Sequence, residues 1–180
     1  MRIIAGKFKG KVLSSFELDS TRPTSDIVRE ALFNILYNVS NKTFLDLFGG
    51  TGAVCLEAIS RGVKQAVVVD NNKLAISLIN KNVKSCNADN VKVLFLDYLK
   101  ALKKLEEENY CFDIIFLDPP YSTNYAEQSL NYLKNSNLIN NESIIIWEHD
   151  KTKLNIILER FEIVNQKRYG SKYLTILTKV

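Results

Sequence analysis

The sequence has few cysteines and histidines with which to build metal sites or disulfide frameworks, and it lacks the long apolar run of a membrane span. Its 180 residues include only three cysteines, three prolines and one histidine. Cys55, Cys86 and Cys111 are scattered and odd in number, so we expect reduced thiols in a cytoplasmic protein and no metal. No apolar run approaches the roughly 18 residues of a membrane span. We therefore expect neither a membrane partner nor a signal peptide.

Acidic residues are absent from both ends of the chain. Residues 1–16 carry a formal charge of +4, residues 163–180 carry another +4, and the segment between them carries −4. Such asymmetry is typical of a protein that meets a polyanion. It is equally compatible with solvated, lysine-rich ends, and charge alone leaves the two interpretations open.

From residue 43 onward, short apolar segments alternate with amphipathic ones. This alternation predicts a parallel sheet with helices on both faces, an α/β fold of the doubly wound type. The last two strands are too close in sequence for a crossover and must form a hairpin. We expect a basic β-hairpin extension over 1–24 and one domain over 25–180. Strands are predicted at 44–48, 66–70, 91–96, 112–117, 143–147, 161–166 and 172–179, and helices from about 26 and at 53–61, 72–86, 97–107, 124–134 and 151–159.

A glycine loop follows the first predicted core strand, over residues 46–52 (DLFGGTG). The end of the first strand is the usual place for a nucleotide or cofactor in an open α/β sheet. The loop lacks the third glycine of a dinucleotide fingerprint, and the Asp46 carboxylate would repel a pyrophosphate. A cationic sulfonium or ammonium ligand suits it better, which favours S-adenosylmethionine over NAD. A tight turn without a ligand is the alternative.

Carboxylates also follow the next two predicted strands. Asp70 can accept hydrogen bonds from both ribose hydroxyls of a nucleoside. Asp97 could meet an adenine amino group. Either residue could instead cap the helix that follows it.

Residues 118–121 (DPPY) follow the fourth core strand and give the strongest signal in the sequence. Two prolines fix the backbone and remove two donors, so the loop presents acceptors and then an aromatic ring. Asp118 and the Pro119 carbonyl can accept from an exocyclic amine while Tyr121 stacks on the base. Such bonds localise the lone pair of the amine and prepare it to attack a methyl group. A rigid turn is the structural alternative.

With these motifs, the chain resembles the RsmD-type bacterial family of S-adenosylmethionine-dependent enzymes that methylate N2 of a guanine in 16S rRNA. The similarity runs along the whole chain and includes RIIAGKFKGKVL, TRPTSDIVREALFNIL, LDLFGGTGAVCLEAISRG, FDIIFLDPPY and YGSKYLTIL. The resemblance implies a Rossmann-like class I methyltransferase fold with strand order 3-2-1-4-5-7-6, strand 7 antiparallel. It implies a target of the guanine-966 type, in an exposed loop of an assembled or assembling small ribosomal subunit. We expect the enzyme to be monomeric.

The motifs and the resemblance together give three sets of candidate residues. A catalytic set consists of Asp118, Pro119, Pro120 and Tyr121. A cofactor set consists of Asp46, Phe48, Gly50, Gly52, Asp70, Asn71, Asp97 and Tyr98. An RNA-contacting set, suggested by the basic first segment and the helix entry after it, consists of Arg2, Lys7, Lys9, Lys11, Arg22, Thr24 and Arg29.

Other functions use the same features. An adenine-N6 methyltransferase acting on DNA or RNA would use the same DPPY loop. A non-catalytic RNA-binding assembly factor could keep the fold, although the intact loops argue against decay. An NAD-dependent oxidoreductase is disfavoured by Asp46 and by the missing glycine.

Overall fold

The alternation of short apolar segments and helices becomes a single mixed sheet in the computed structural model, which describes residues 1–16, 26–150 and 161–180. The strands are β1 Thr43–Asp46, β2 Gln65–Asp70, β3 Val91–Phe95, β4 Ile114–Leu117, β5 Ile144–Asp150, β6 Phe161–Tyr169 and β7 Lys172–Lys179. The helices are α1 Asp26–Leu36, α2 Ala53–Ser60, α3 Lys73–Ser85, α4 Tyr98–Glu107 and α5 Tyr125–Leu133.

The seven strands lie in the order β3-β2-β1-β4-β5-β7-β6. Strands β1 to β5 pair in parallel, whereas β7 is antiparallel to both β5 and β6. The predicted fold class and strand order are confirmed. The antiparallel strand follows from the short Gly170 turn, which allows a hairpin and no crossover.

Each central strand contributes alternate side chains to two hydrophobic cores. Phe44 and Val68 pack against α2 and α3, while their neighbours Leu45 and Val67 pack against α4 and α5. A strand that is buried on both faces needs apolar residues at every position. This explains why the central strands read as continuous apolar runs.

Helix α1 is shorter than its sequence pattern predicts. Apolar residues recur at helical spacing, at positions 28, 32, 35, 36 and 39, and form an apolar stripe, but the helix ends at Leu36. Tyr37 adopts a φ of 54°, a left-handed conformation that a helix interior excludes.

Residues 1–13 turn back on themselves, as expected for a hairpin, but pair over a short distance. One antiparallel bridge joins Arg2 to Val12, and the Ile3 amide donates to the Lys11 carbonyl at 3.0 Å. The amides of residues 4, 5, 7 and 8 instead donate to Glu57 and Ser60 on α2. The two predicted strands are therefore reduced to one bridge, because α2 supplies partners that a longer ladder would supply.

A buried carboxylate on α2 holds this segment. Glu57 is fully buried and accepts from the Ile4 amide at 2.8 Å and the Ala5 amide at 3.0 Å. Its charge is balanced by Arg61 at 2.8 Å and by the buried Arg29 at 3.5 Å. The first residues are thus fixed by charge-assisted hydrogen bonds, the stronger class in proteins.

Some predicted features lie outside the described residues. These are the helix at 151–159 and the candidate RNA contacts Arg22 and Thr24. Within the described ranges, no helix has the length and apolar character that a bilayer crossing requires.

Replacing Gly6 should destabilise the protein more than replacing Gly10. Both have nearly the same positive φ, 81° and 82°, but a Cβ on Gly6 would lie 1.8 Å from the Ser60 carbonyl oxygen, whereas one on Gly10 meets nothing within 4 Å. We expect Gly10→Ala to cost about 1 kcal/mol of unfolding free energy through backbone strain. Gly6→Ala should cost about 2 kcal/mol more, because the segment must shift. Urea unfolding of both variants measures the difference, and equal losses would show that the Ser60 contact is unimportant.

Candidate functional site

A cleft of about 600 Å³ opens at the carboxyl edge of the sheet. Strands β1, β2 and β4 run in parallel and end together there, in the register that aligns Asp46 with Val68 and Phe116. The loops that follow the three strands therefore meet around one space. The polar and aromatic residues lining it are Phe16, Asp46, Phe48, Thr51, Asp70, Asn71, Asn72, Tyr98, Phe116, Asp118, Tyr121 and Tyr125, with Gly49, Gly50, Pro119 and Pro120.

Asp46 places a buried carboxylate in the floor of the cleft. Its residue exposure is 1%, and its Oδ1 atom has no hydrogen-bond partner among the described residues. Burial, and next the charge of Asp70, raise the pKa of the Asp46 carboxyl from an ordinary 3.8 to about 7, although amide hydrogen bonds from Cys55 and Phe48 oppose the shift. A buried acceptor without a donor is costly. The site therefore suits a ligand that brings an N–H donor and positive charge.

Asp70 holds the glycine loop in place. Its Oδ2 accepts from the Gly50 amide at 2.9 Å, and its Oδ1 accepts from the Asn72 amide at 2.8 Å. Each carboxylate oxygen retains lone pairs for a second donor. Asp70 can thus fix the loop and still face a ligand, and the helix cap is supplied by Asn72, whose side chain accepts from Leu74 and Ala75.

Two predicted cofactor residues do not line the cleft. Asp97 caps α4, accepting from the Leu99 amide at 3.0 Å and the Lys100 amide at 3.4 Å. Gly52 forms the start of α2 with a φ of 76° and donates to the Gly49 carbonyl at 2.7 Å. Leu96 and Tyr98, the neighbours of Asp97 in the sequence, line the cleft.

Three aromatic rings form one wall of the cleft. The Tyr98 ring centroid lies 4.7 Å from that of Tyr125 and 5.5 Å from that of Phe48. Phe48 and Tyr98 are predicted site residues, whereas Tyr125 is not. Its one signal in the sequence is its place at the start of the helix that follows the DPPY loop. Such a wall can pack on the flat face of a heterocycle.

The four DPPY residues also line the cleft. Asp118 is half-buried, Pro119 is buried, and Tyr121 is 40% exposed. The Pro120 carbonyl accepts from the Thr123 amide at 3.1 Å and from its hydroxyl at 2.7 Å. Thr123 thereby closes the turn, and the loop carries the Asp118 carboxylate and the Tyr121 ring toward the cleft.

The basic residues of the first segment divide into exposed and buried ones. Arg2, Lys7, Lys9 and Lys11 are exposed. Arg29 is fully buried, and its guanidinium donates to the Arg2 carbonyl and to Asp26. The prediction that Arg29 contacts RNA is therefore wrong, because its buried guanidinium pairs with Glu57 and with the Arg2 carbonyl of the first segment.

Sequence reasoning missed the contribution of the first segment to the cleft. Phe16 lines the cleft at its edge. Buried Asn82 links the two regions, because its amide group donates to the Ser14 carbonyl at 3.0 Å and to the Thr51 carbonyl at 2.9 Å. The contact with Ser14 spans 68 residues of sequence, so no local pattern could have indicated it.

Comparison with known proteins assigns the chain to a family. The family model described as Conserved hypothetical protein 95 matches residues 1–178. The chain belongs to this family. Its members include ribosomal RNA small subunit methyltransferase D of Buchnera aphidicola, 33% identical over 92% of this chain and 86% of that protein, and the protein of the same name from Haemophilus influenzae, 32% identical over 94% and 89%.

Solved structures of similar proteins share the fold. A candidate methyltransferase of Escherichia coli superposes with a TM-score of 0.86 at 26% identity, covering 99% of this chain and 97% of that one. A hypothetical protein of Thermus thermophilus gives 0.82 at 30% identity, covering 100% and 99%. The resemblance to the RsmD-type family and the class I methyltransferase fold are thus confirmed.

The raised pKa of Asp46 predicts how stability depends on pH. The folded carboxyl holds its proton more tightly than the unfolded one between about pH 4 and 7, so the unliganded protein loses stability as pH rises through that window. We expect Asp46→Asn to stabilise the unliganded protein by roughly 2–4 kcal/mol at pH 8 and by less at pH 5. Thermal unfolding at both pH values measures this.

Asp97→Asn provides the matched control, because it removes one carboxylate at a helix cap where asparagine serves equally well. A stability gain of Asp46→Asn that did not change with pH would contradict the raised pKa.

Proposed function

We propose that this family member transfers a methyl group from S-adenosylmethionine to the exocyclic N2 amine of a guanine in 16S rRNA. The observation that carries the proposal is that the buried Asp46 carboxylate and the DPPY loop face one cleft. The names of the relatives, ribosomal RNA small subunit methyltransferases, supply the class of substrate.

The residues of the cleft fit the cofactor. Asp46 Oδ1 is a buried acceptor, and an ammonium group would satisfy it and favour its ionised form. Asp70 retains acceptor capacity for ribose hydroxyls, and Asn71 lies beside it. The wall of Phe48, Tyr98 and Tyr125 suits an adenine ring. S-adenosylmethionine would supply an electrophilic methyl group on a sulfonium.

The DPPY loop would prepare the nucleophile. The two N–H bonds of an exocyclic amine require two acceptors, and the loop offers the Asp118 carboxylate and the Pro119 carbonyl. Bonds to both hold the amine nitrogen tetrahedral, which localises its lone pair. Tyr121 would stack on the base and set its distance from the methyl group, and positioning of this kind is a major source of rate enhancement.

The reaction needs no further catalytic group. The amine lone pair forms the new N–C bond while the C–S bond electrons return to sulfur, and the surplus proton on nitrogen passes to Asp118 or solvent. His149 takes no part, because it is 2% exposed and its ring bonds to Thr175 and the Asp150 carbonyl.

A base in a loop suits this cleft better than a paired base. Extruding an unpaired nucleotide costs less energy than breaking a duplex. Lys7, Lys9 and Lys11 are exposed, and no ion pair inside the described ranges holds them. We propose that these lysines and Arg2 contact phosphates around the target loop in the small subunit.

Labelled S-adenosylmethionine and small subunits that lack the modification test the function directly. We expect one methyl group per subunit, on guanine N2, located by nuclease mapping and mass spectrometry. Label on adenine N6 would replace the proposed base specificity with the alternative one. Absence of label from RNA would overturn the proposal.

Asp118→Ala provides the mechanistic control. It should lower the single-turnover rate roughly 100-fold or more, because a preorganised polar contact to the reacting group is lost. Affinity for S-adenosylhomocysteine, measured by calorimetry, should stay near that of the wild type. Equal loss of rate and affinity would mean that Asp118 supports the cleft and does not act on the amine.

Neutralising the first-segment lysines should weaken subunit binding in a salt-dependent manner. The triple variant Lys7→Gln, Lys9→Gln, Lys11→Gln should reduce the slope of log affinity against log salt by up to about 3. Lys81→Gln, Lys84→Gln, Lys103→Gln removes the same charge from exposed positions on α3 and α4 and serves as the control. Equal slopes for the two triples would refute a specific role of the first segment.

A further inference from the structure

The hairpin formed by β6 and β7 brings a lysine to the back of the DPPY loop. Lys172 is the first residue of β7 and pairs in register with Asp150 on β5. Its ammonium group forms an ion pair with Glu148 on β5 and lies 5.4 Å from the centroid of the Tyr121 ring. The Tyr121 hydroxyl donates to the same Glu148 oxygen, Oε1, at 3.2 Å.

We propose that Lys172 and Glu148 are positioning residues that fix the orientation of the Tyr121 ring toward the cleft. The inference rests on the proposed function for its catalytic consequence. It assigns a role to the sequence YGSKYLTIL, whose basic residue the methyl-transfer chemistry leaves unused.

Burial of the pair argues for this role. Glu148 is 0% exposed and the Lys172 side chain is 15% exposed. Glu148 Oε2 has no hydrogen-bond partner among the residues that the structure describes. A buried ion pair is poor as a device for stability, because apolar residues of the same volume often do as well or better. Its position beside the DPPY loop is explained instead by its contacts with the Tyr121 ring and hydroxyl.

The electrostatics of the group agree with the geometry. Glu148, Tyr121 and Asp118 raise the pKa of Lys172 against the opposing effect of burial. Burial raises the pKa of Tyr121 to about 12, so its hydroxyl stays protonated and remains a donor to Glu148. The Tyr121 ring is thereby held at its hydroxyl by a hydrogen bond to Glu148 and at its face by the Lys172 ammonium group.

Tyr121 needs these contacts because it lies in an exposed loop. It is 40% exposed and follows two prolines in a loop that belongs to neither β4 nor α5. A stacking ring that is free to rotate places the base variably, and small misplacement of a reacting group costs rate steeply. A fixed ring changes the rate of the transfer step more than the affinity for either substrate.

A double-mutant cycle on the full-length protein tests the inference. Lys172→Met and Tyr121→Phe should each lower kcat about 10-fold with little change in KM for S-adenosylmethionine. The double variant should be no slower than the slower single variant, because both remove one coupled element. Lys172→Arg, which keeps the charge, should restore most of the rate. Lys179→Met, at the other end of the same strand, should leave kcat unchanged.

Hydrogen–deuterium exchange gives a readout that does not require activity. Amides of residues 121–124 should exchange faster in Lys172→Met than in wild type and Lys179→Met. If wild type transfers no methyl group, the proposed function fails, and faster exchange would still support the positioning contact. Independent, multiplicative effects in the cycle, a wild-type kcat for Lys172→Met, or unchanged exchange at 121–124 would each overturn the inference.

Discussion

Parallel pairing of β1 with both β2 and β4 is the constraint on which the rest of the site depends. It forces three strands to end at one edge, which brings Asp46, Asp70 and Asp118 to one cleft from positions far apart in sequence. Burial of the Asp46 carboxyl, and next the charge of Asp70, raise the pKa of Asp46, so its ionised form is unfavourable in the unliganded protein. The unliganded site is therefore electrostatically destabilising, and a cationic ligand would remove this destabilisation. Hydrophobic burial on both faces of the sheet outweighs it.

A second buried acid connects the first segment to this framework. Glu57 accepts amides from residues that precede it by more than fifty positions and is balanced by two arginines. Because a buried charge must be paired and hydrogen-bonded, each partner fixes the others. The consequence reaches the cleft through Asn82, which bonds both the first segment and the glycine loop. A segment that looks appended in the sequence is thereby part of the cleft wall, where it places Phe16.

Local sequence patterns predicted the structural features that depend on neighbouring residues. Apolar periodicity identified the described strands and helices, and the glycine loop and DPPY identified the cleft, because these motifs act through their own backbone. What the sequence could not reveal depends on pairing between distant residues. Arg29 looked like a solvent-facing charge because it lies off the apolar stripe of α1, and only Glu57 on another helix explains its burial. Asp97 shows a different limit, since a helix cap and a ligand contact have the same sequence signature, and the structure shows the cap.

Pairing between distant residues also makes the basic residues at the two ends of the chain differ in their surroundings. At the first end, Arg2, Lys7, Lys9 and Lys11 all face solvent, so their field acts outward. At the last end, Lys172 is paired with a fully buried glutamate and turned toward the DPPY loop. Its charge is largely cancelled at distances beyond the pair. The two ends therefore differ in one respect, because Lys172 is neutralised by a buried partner, whereas Lys167 and Arg168 at the same end remain exposed.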